Sequence, residues 1–163
     1  MSDLTHLDAD GNAVMVDISN KNITERSATA VGSVYMLPET LKLIVNSDVK
    51  KGDVLSIAQL AGIMGAKKTS ELIPLCHQLN LNSVQVQLAC DEDRNAVDIA
   101  ATCKLSGKTG VEMEAITAVT IAALTVYDMC KAVDRGIKLS DIRLVHKEGG
   151  KSGIYTEASN GKD

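Results

Sequence analysis

The sequence predicts an α+β fold in which helices cover an antiparallel sheet. Two neighbouring segments alternate apolar and polar residues on either side of a polar turn, as the two strands of a β-hairpin do. Helical patterns precede and follow this hairpin, so the middle of the chain has the order strand, helix, strand, strand, helix, strand. This order is typical of the ferredoxin-like split βαβ core, with an N-terminal strand and a first helix as additions.

The N-terminal part is predicted to contain two extended segments and two helices. A short strand covers residues 13–19 (AVMVDIS), and a longer extended segment rich in Thr and Val covers residues 23–36. Pro38 marks the first turn of the first helix. Asp53 is the predicted N-cap of the second helix. The apolar stripe of that second helix consists of Val54, Ile57, Leu60, Ala61 and Met64.

The hairpin is predicted around residues 84–88 and 97–105, with DEDRN as its turn. The longest predicted helix follows over residues 111–133. Its charges lie only at its ends, so it is predicted to be buried on every face, which favours packing against other subunits. TGVE is typical of a capping box, with Thr109 as N-cap and Glu112 at the third position. A strand and a glycine loop, EGGKSG, then follow.

Length and composition bound the function. The 163 residues suit one domain without an internal linker, with residues 1–10 and 157–163 as flexible ends. Hydrophobic residues make up 45% and aromatic residues 2%, so the core is predicted to be aliphatic. The net charge of −4 argues against nucleic-acid binding, although clustered lysines can still form a local anion site.

The cysteines and apolar runs favour a soluble, reduced, cytoplasmic protein that binds no membrane. The four cysteines include no CxxC pair, and the polar N-terminus does not resemble a signal peptide. The longest charge-free run, at residues 115–127, is shorter than the roughly 20 residues that span a bilayer.

Two glycine loops resemble incomplete phosphate-binding loops. GKTG (107–110) and GGKSG (149–153) both lack the first glycine of a Walker A motif. Each can nevertheless bind phosphate through backbone N–H groups and a lysine. The alternative is that both are ordinary glycine turns with solvated lysines.

The two ends of the long helix carry the candidate acids. Asp128 and Lys131 share one face, as a surface ion pair or as a functional pair. Glu114 lies 14 positions before Asp128, which is ~21 Å along a helix. If both ends are functional, two subunits must form the pocket. The residues alone predict a binder of a phosphorylated small molecule, with His77 and a carboxylate as acid/base groups.

Six motifs in order and spacing resemble one family. MVDIS, KKGDV, LIPLCH, GKTGVEMEA, YDMCKA and GGKSG are similar to those of the molybdenum-cofactor biosynthesis protein C family, the cyclic pyranopterin monophosphate synthases, over residues 4–155. The resemblance implies a lyase that converts (8S)-3′,8-cyclo-7,8-dihydroguanosine 5′-triphosphate into cyclic pyranopterin monophosphate and pyrophosphate. It implies a ferredoxin-like fold, a homohexamer built as a trimer of dimers, a site at a dimer interface and no redox cofactor.

The resemblance also implies site residues. The catalytic set is Asp128, Lys131, Lys51 and His77. The substrate-binding set is Leu75, Cys76, His77, Glu112, Met113, Glu114, Lys67, Lys147, Lys151 and Arg26. The chain departs from the family pattern at Gln78, where Pro is usual, and at Glu148, where Ser or Thr is common.

Two other classes of function remain as alternatives. The incomplete Gly-Lys-Thr and Gly-Lys-Ser loops also suit a non-catalytic nucleotide-binding module. Cys76 and His77 would suit a metal-binding protein, but no second Cys or His stands at ligand spacing, so no metal site is predicted.

Overall fold

The computed structural model describes residues 6–47, 49, 52–151 and 153–158. The elements in chain order are β1 (Thr24–Tyr35), α1 (Pro38–Val45), α2 (Val54–Lys67), α3 (Thr69–Leu72), β2 (Ser83–Asp91), β3 (Ala96–Gly107), α4 (Glu112–Cys130), β4 (Lys138–Glu148) and β5 (Tyr155–Thr156).

The described strands form one five-stranded antiparallel sheet in the order β2-β3-β1-β4-β5. Strand β1 is central and pairs with both β3 and β4. Helix α4 packs on β1, β3 and β4, and α2 packs on α4 and β2. The predicted α+β class and the ferredoxin-like order of the core strands are therefore confirmed. The antiparallel sheet also differs from the parallel sheet that carries a Walker A loop.

The predicted hairpin is formed by β2 and β3. Val86 pairs with Ala101, and both side chains are buried against the helices. The turn is held by Asp91, whose carboxylate accepts hydrogen bonds from the backbone N–H of Arg94 at 3.0 Å and from its Nε at 2.7 Å. Alternation in the sequence located this element well because one face is buried and the other is not.

Most of the predicted apolar stripe of α2 faces outward, which corrects the sequence prediction, and of its five members Val54 alone is fully buried. Ile57 is 41% exposed, Leu60 60% and Met64 52%. Beyond Val54, the buried face of α2 carries small residues, which are Ala58, Gly62, Gly65 and Ala66. A Cβ on Gly62 would lie 3.0 Å from the carbonyl oxygen of Ala118, so its absence lets α2 approach α4 closely.

The predicted N-terminal strand at residues 13–19 is absent. Ala13 makes an isolated bridge with Leu7, and no strand of the described sheet includes residues 13–19. Val14 and Met15 are exposed, so the apolar alternation of this segment is not matched by burial within the chain. The pattern predicted a strand, but a strand also needs a partner with which to form backbone hydrogen bonds.

Helix α4 is the core helix. Its 19 residues include a window long and apolar enough to cross a membrane, but 56% of that window is buried inside the protein. The sheet covers one side of α4 and α2 covers another. The chain itself therefore supplies much of the cover that the all-apolar sequence was expected to seek from other subunits.

Candidate active site

A cleft of about 540 Å³ opens where the two glycine loops meet the start of β1 and the start of α4. Its lining residues are Asn20, Lys21, Asn22, Thr24, Arg26, Ser27, Lys108, Thr109, Gly110, Glu112, Lys147, Glu148, Gly149, Gly150 and Lys151. This set contains five cationic and two acidic side chains, so the cleft carries a positive charge within an acidic protein. Such a local field suits an anionic ligand.

Arg26 ties the two glycine loops together. Its Nε donates to the carbonyl of Gly107 at 3.4 Å, its Nη1 to that of Gly149 at 3.2 Å, and its Nη2 to that of Lys108 at 3.5 Å. The guanidinium keeps its positive charge while bound to these carbonyls. Arg26, predicted as a substrate-binding residue, therefore also shapes the cleft.

The loop after β4 requires glycine at two positions. Gly149 has φ +99° and Gly150 has φ +75°, both in the left-handed region that side chains with a Cβ rarely adopt. A Cβ on Gly150 would overlap the guanidinium of Arg26, and one on Gly149 would overlap the carbonyl oxygen of Glu25. Close packing against β1 explains why GGKSG contains adjacent glycines.

Glu112 points into the cleft and pairs with Lys147. The Nζ of Lys147 donates to Oε1 of Glu112 at 2.7 Å. The predicted capping box is wrong, because the N-cap of α4 is Val111 and its end has no side-chain cap hydrogen bond. Thr109 and Glu112 instead line the cleft, so TGVE contributes to the site rather than to the helix end.

The cleft contains cations that the predicted site omitted. Lys21 and Lys108 both line it, and the Nζ of Lys108 donates to the carbonyl of Ser19 at 2.7 Å. The GKTG motif was a signal for Lys108, whereas no pattern identified Lys21.

The buried hydroxyl of Thr24 also lines the cleft and has no hydrogen-bond partner in the described part of the chain. A polar ligand would satisfy that hydroxyl.

The loop after α3 holds His77 beside the N-terminal segment. The Nε2 of His77 lies 2.8 Å from the carbonyl oxygen of Val16. Leu75 and Cys76 are half-buried in the same loop. Burial and then the nearby charge of Glu114 raise the pKa of the Cys76 thiol, which keeps the thiol protonated and poor as a nucleophile or metal ligand.

No cluster of three or more His, Cys, Asp or Glu side chains in the described ranges could hold a metal ion.

Glu114 is a buried acid in the first turn of α4. It is 4% exposed, and burial, with a smaller contribution from the charge of Glu112, raises its pKa to about 7. Its charge also raises the pKa values of the Cys76 and Cys103 thiols, after burial, which places the carboxyl between the loop and the sheet. A carboxyl that titrates near neutral pH can donate or accept a proton there.

The Asp128–Lys131 pair lies at the other end of α4. The Nζ of Lys131 donates to Oδ1 of Asp128 at 2.5 Å, and this hydrogen bond, followed by the charge of Asp128, raises the pKa of Lys131. Because α4 is continuous from Glu112 to Cys130, Asp128 lies about 24 Å along the helix from Glu112. One chain therefore does not bring its two predicted groups of site residues together.

The remaining predicted residues have different positions. Lys151 lines the cleft, and Met113 is partly exposed in the first turn of α4. Lys67 instead lines a separate depression of about 500 Å³ beside Asn80 and Asn82. Lys51, which was predicted to be catalytic, lies outside the described residues.

Fold and cleft define an α+β domain whose cation-lined cleft suits a polyanionic ligand. A model of the MoaC family matches residues 15–150, and the chain belongs to this family. The match covers both glycine loops up to Gly150, the loop with His77, and all of α4. The resemblance predicted from the motifs is therefore confirmed.

Full-length relatives agree with this assignment. A Rhodospirillum rubrum protein named cyclic pyranopterin monophosphate synthase is 64% identical over 153 residues, which cover 94% of this chain and 92% of the relative. A protein of the same name from Dinoroseobacter shibae is 61% identical over 95% of this chain and 98% of its own. One from Chloroflexus aurantiacus is 58% identical over 94% of each chain.

Proposed function

We propose that this chain is a cyclic pyranopterin monophosphate synthase of molybdenum cofactor biosynthesis. It converts (8S)-3′,8-cyclo-7,8-dihydroguanosine 5′-triphosphate into cyclic pyranopterin monophosphate and releases pyrophosphate. The observation that carries this proposal is the cation-lined cleft between the GKTG and GGKSG loops, in a chain 64% identical to a relative of that name. The enzyme is a lyase, and the proposed reaction needs no redox cofactor.

The cleft is suited to the triphosphate. Closure of the cyclic phosphate requires a sugar oxygen to form a bond to the α-phosphorus. The bond between the α-phosphorus and the oxygen that bridges it to the β-phosphorus breaks, and pyrophosphate leaves with that electron pair. Charge then accumulates on the leaving group. Lys147, Lys151 and Arg26 would stabilise it, together with Lys21 and Lys108, which line the same cleft.

Ring opening and pterin closure require proton transfers, and three groups supply candidates. Glu114 has a pKa raised to about 7 by burial, so both of its protonation states are populated near neutral pH. His77 offers an imidazole from the neighbouring loop. Asp128, paired with Lys131, is the proposed principal acid/base, and Lys51 is proposed to assist it. Leu75, Cys76 and Met113 are proposed to contact the ring system, and Lys67 to contact a phosphate.

We propose that two subunits form each site within a homohexamer built as a trimer of dimers. The support is geometric, because about 24 Å of helix separates the cleft end of α4 from Asp128. An exposed apolar surface is available for subunit contact on the helix layer. It includes Ile57, Leu60 and Met64 of α2 and Leu124 of α4. A second subunit would bring its own Asp128 to the cleft.

The proposed cellular compartment and domain organisation follow from the proposed function. The whole chain is proposed to be one synthase domain, and the protein is proposed to act in the cytoplasm, binding neither membrane nor nucleic acid. Cys76, Cys90 and Cys103 form no disulfide in the structure, which fits a reducing compartment. Gln78 follows His77 and is exposed, and Glu148 lines the rim of the cleft, so neither departure from the family pattern removes a proposed catalytic group.

The direct test is turnover by the purified full-length protein. The protein is incubated with the cyclo-dihydroguanosine triphosphate, and cyclic pyranopterin monophosphate and pyrophosphate are quantified together. Equal amounts of the two products are expected, and Lys147→Ala should reduce both. Binding of the substrate without formation of either product would instead support the non-catalytic nucleotide-binding module.

A further inference from the structure

We propose that Glu112 is an internal competitor of pyrophosphate for Lys147. Its carboxylate occupies the position on the ammonium group that a phosphate oxygen would take, and its return promotes release of the leaving group. This inference rests on the proposed function. It changes the role of Glu112 from a group that holds the substrate to one that opposes retention of a product.

The ion pair is specific in its geometry. Nζ of Lys147 lies 2.7 Å from Oε1 of Glu112, and the two side chains are only 30% and 27% exposed. A partly buried pair of this kind is screened less by solvent than an exposed one. Any anion that binds Lys147 directly must therefore displace Glu112 or share the ammonium group with it.

The local backbone makes room for this carboxylate. Glu112 is the first residue of α4, where the helix dipole favours an acid. Its side chain nevertheless bonds to β4 across the cleft rather than to the helix end. A Cβ on Gly110 would overlap Oε2 of Glu112. Glycine at this position thus leaves the space that the carboxylate occupies.

The other charges of the cleft differ in their partners. Arg26 and Lys108 donate to backbone carbonyls, and the charge of Lys108 lies near Asp17, which does not line the cleft. Glu148 is the second acid of the lining, but its side chain is 52% exposed, and its Oε2 lies 3.8 Å from Nε2 of His146. Among the described lining residues, Glu112 is thus the carboxylate that neutralises a lysine of the cleft.

Competition has a kinetic consequence. A cleft of fixed cations binds the free pyrophosphate as well as the triphosphate, and such uniform binding lowers KM without accelerating the chemical step. Tight retention of pyrophosphate would then limit turnover at product release. A carboxylate that pairs with Lys147 again as the anion leaves lowers the affinity for pyrophosphate.

The test measures binding of inorganic pyrophosphate by titration calorimetry to the full-length wild type, Glu112→Gln and Glu148→Gln. Glu148→Gln is the matched control, because it removes the same charge from the same cleft without touching Lys147. Glu112→Gln is expected to bind pyrophosphate about five- to tenfold more tightly, and Glu148→Gln to change the affinity by less than about twofold. Inhibition of turnover by added pyrophosphate should strengthen in Glu112→Gln by a similar factor.

Two further variants keep the test decisive. Glu112→Asp retains the charge but shortens its reach to Lys147, so it should also tighten pyrophosphate binding if the glutamine variant fails to fold. In a Lys147→Met background, Glu112→Gln should no longer have its effect. Unchanged or weaker binding in both Glu112 variants overturns the inference, as does equal tightening by Glu148→Gln. Because binding is measured without turnover, a wild type that binds pyrophosphate but forms no product contradicts the proposed function alone.

Discussion

His77 donates a hydrogen bond from Nε2 to the carbonyl oxygen of Val16, over 2.8 Å and 61 positions of sequence. A carbonyl can only accept, so Nε2 carries the proton. In the neutral imidazole, Nδ1 is then the nitrogen that accepts a proton. The same bond anchors the N-terminal segment to the loop before β2. We therefore propose two separable roles for His77, as an acid/base group and as an anchor.

Substitution of His77 is expected to separate these roles. His77→Ala should lower kcat at least about 100-fold, the usual contribution of general acid–base catalysis. His77→Gln places an amide N–H near the position of Nε2 and should keep the anchor without restoring turnover. The measurement is steady-state turnover beside limited proteolysis of the N-terminal segment. Full recovery of kcat in His77→Gln would show that the residue acts only as an anchor.

Glu114 is expected to make stability fall as pH rises. Burial raises its pKa from the ordinary 4.5 to about 7, so the folded chain holds a proton that the unfolded chain has lost. The resulting loss in the free energy of unfolding is absent below pH 4.5, grows between pH 4.5 and 7, and reaches on the order of 3 kcal/mol above pH 7.

The matched variant is Glu114→Gln, which stays neutral at every pH. Its free energy of unfolding, measured with urea, should equal that of the wild type at pH 4.5 and exceed it by a few kcal/mol at pH 8. A stability difference that is the same at both pH values would contradict a buried, neutral Glu114.

Gly150 is expected to tolerate alanine far less well than Gly153. Both residues have positive φ, +75° and +69°, but a Cβ at 150 would overlap Arg26 whereas one at 153 meets nothing within 4 Å. Gly153→Ala should therefore lower the free energy of unfolding by about 1 kcal/mol, which is the strain of placing a residue with a Cβ in the left-handed region. Gly150→Ala should cost more and also weaken pyrophosphate binding, because Arg26 must move. Equal losses of stability and of pyrophosphate affinity in the two variants would show that the position of Arg26 does not depend on this loop.

Asp134 is expected to be a larger contributor to stability than an ordinary helix cap. It is 4% exposed, and its carboxylate accepts from the backbone N–H of Leu37 at 2.9 Å, the hydroxyl of Thr40 at 3.3 Å and the N–H of Gly136 at 2.9 Å. Asp134→Ala should cost about 2–4 kcal/mol. Asp53→Ala, which removes the exposed N-cap of α2, should lower the free energy of unfolding by clearly less than Asp134→Ala does. Urea unfolding at one fixed protein concentration measures both, and equal losses would be contrary to the prediction.

The core was predictable from the sequence because burial follows from local patterns. The alternation of β2 and β3 and the apolar length of α4 both located elements that the structure contains. The inward face of α2 was not predictable in the same way. Ala58 and Gly62 are buried there because they are small, whereas Ile57, Leu60 and Met64 of the predicted stripe lie outside. The hydrophobicity of the sequence alone does not predict how closely α2 and α4 approach each other.

The site was predictable in part. The two Gly-Lys motifs pointed to the cleft, and Arg26, Glu112 and Lys147 line it, while their predicted role in substrate binding stays a prediction. Lys21 was missed because its place in the cleft depends on the path of the N-terminal segment in the tertiary fold, which no local pattern specifies. The predicted strand at 13–19 failed for a related reason, since pairing partners are set by the tertiary fold.

Mixed oligomers of Lys147→Ala and Asp128→Ala protomers test the proposed two-chain site most directly. Each variant alone should be inactive. In an equal mixture, half of the randomly assembled pairs are hybrid and each hybrid pair holds one intact site, so about a quarter of wild-type turnover should return. Turnover no higher than that of the separate variants would contradict a site in which Lys147 of one protomer works with Asp128 of its partner.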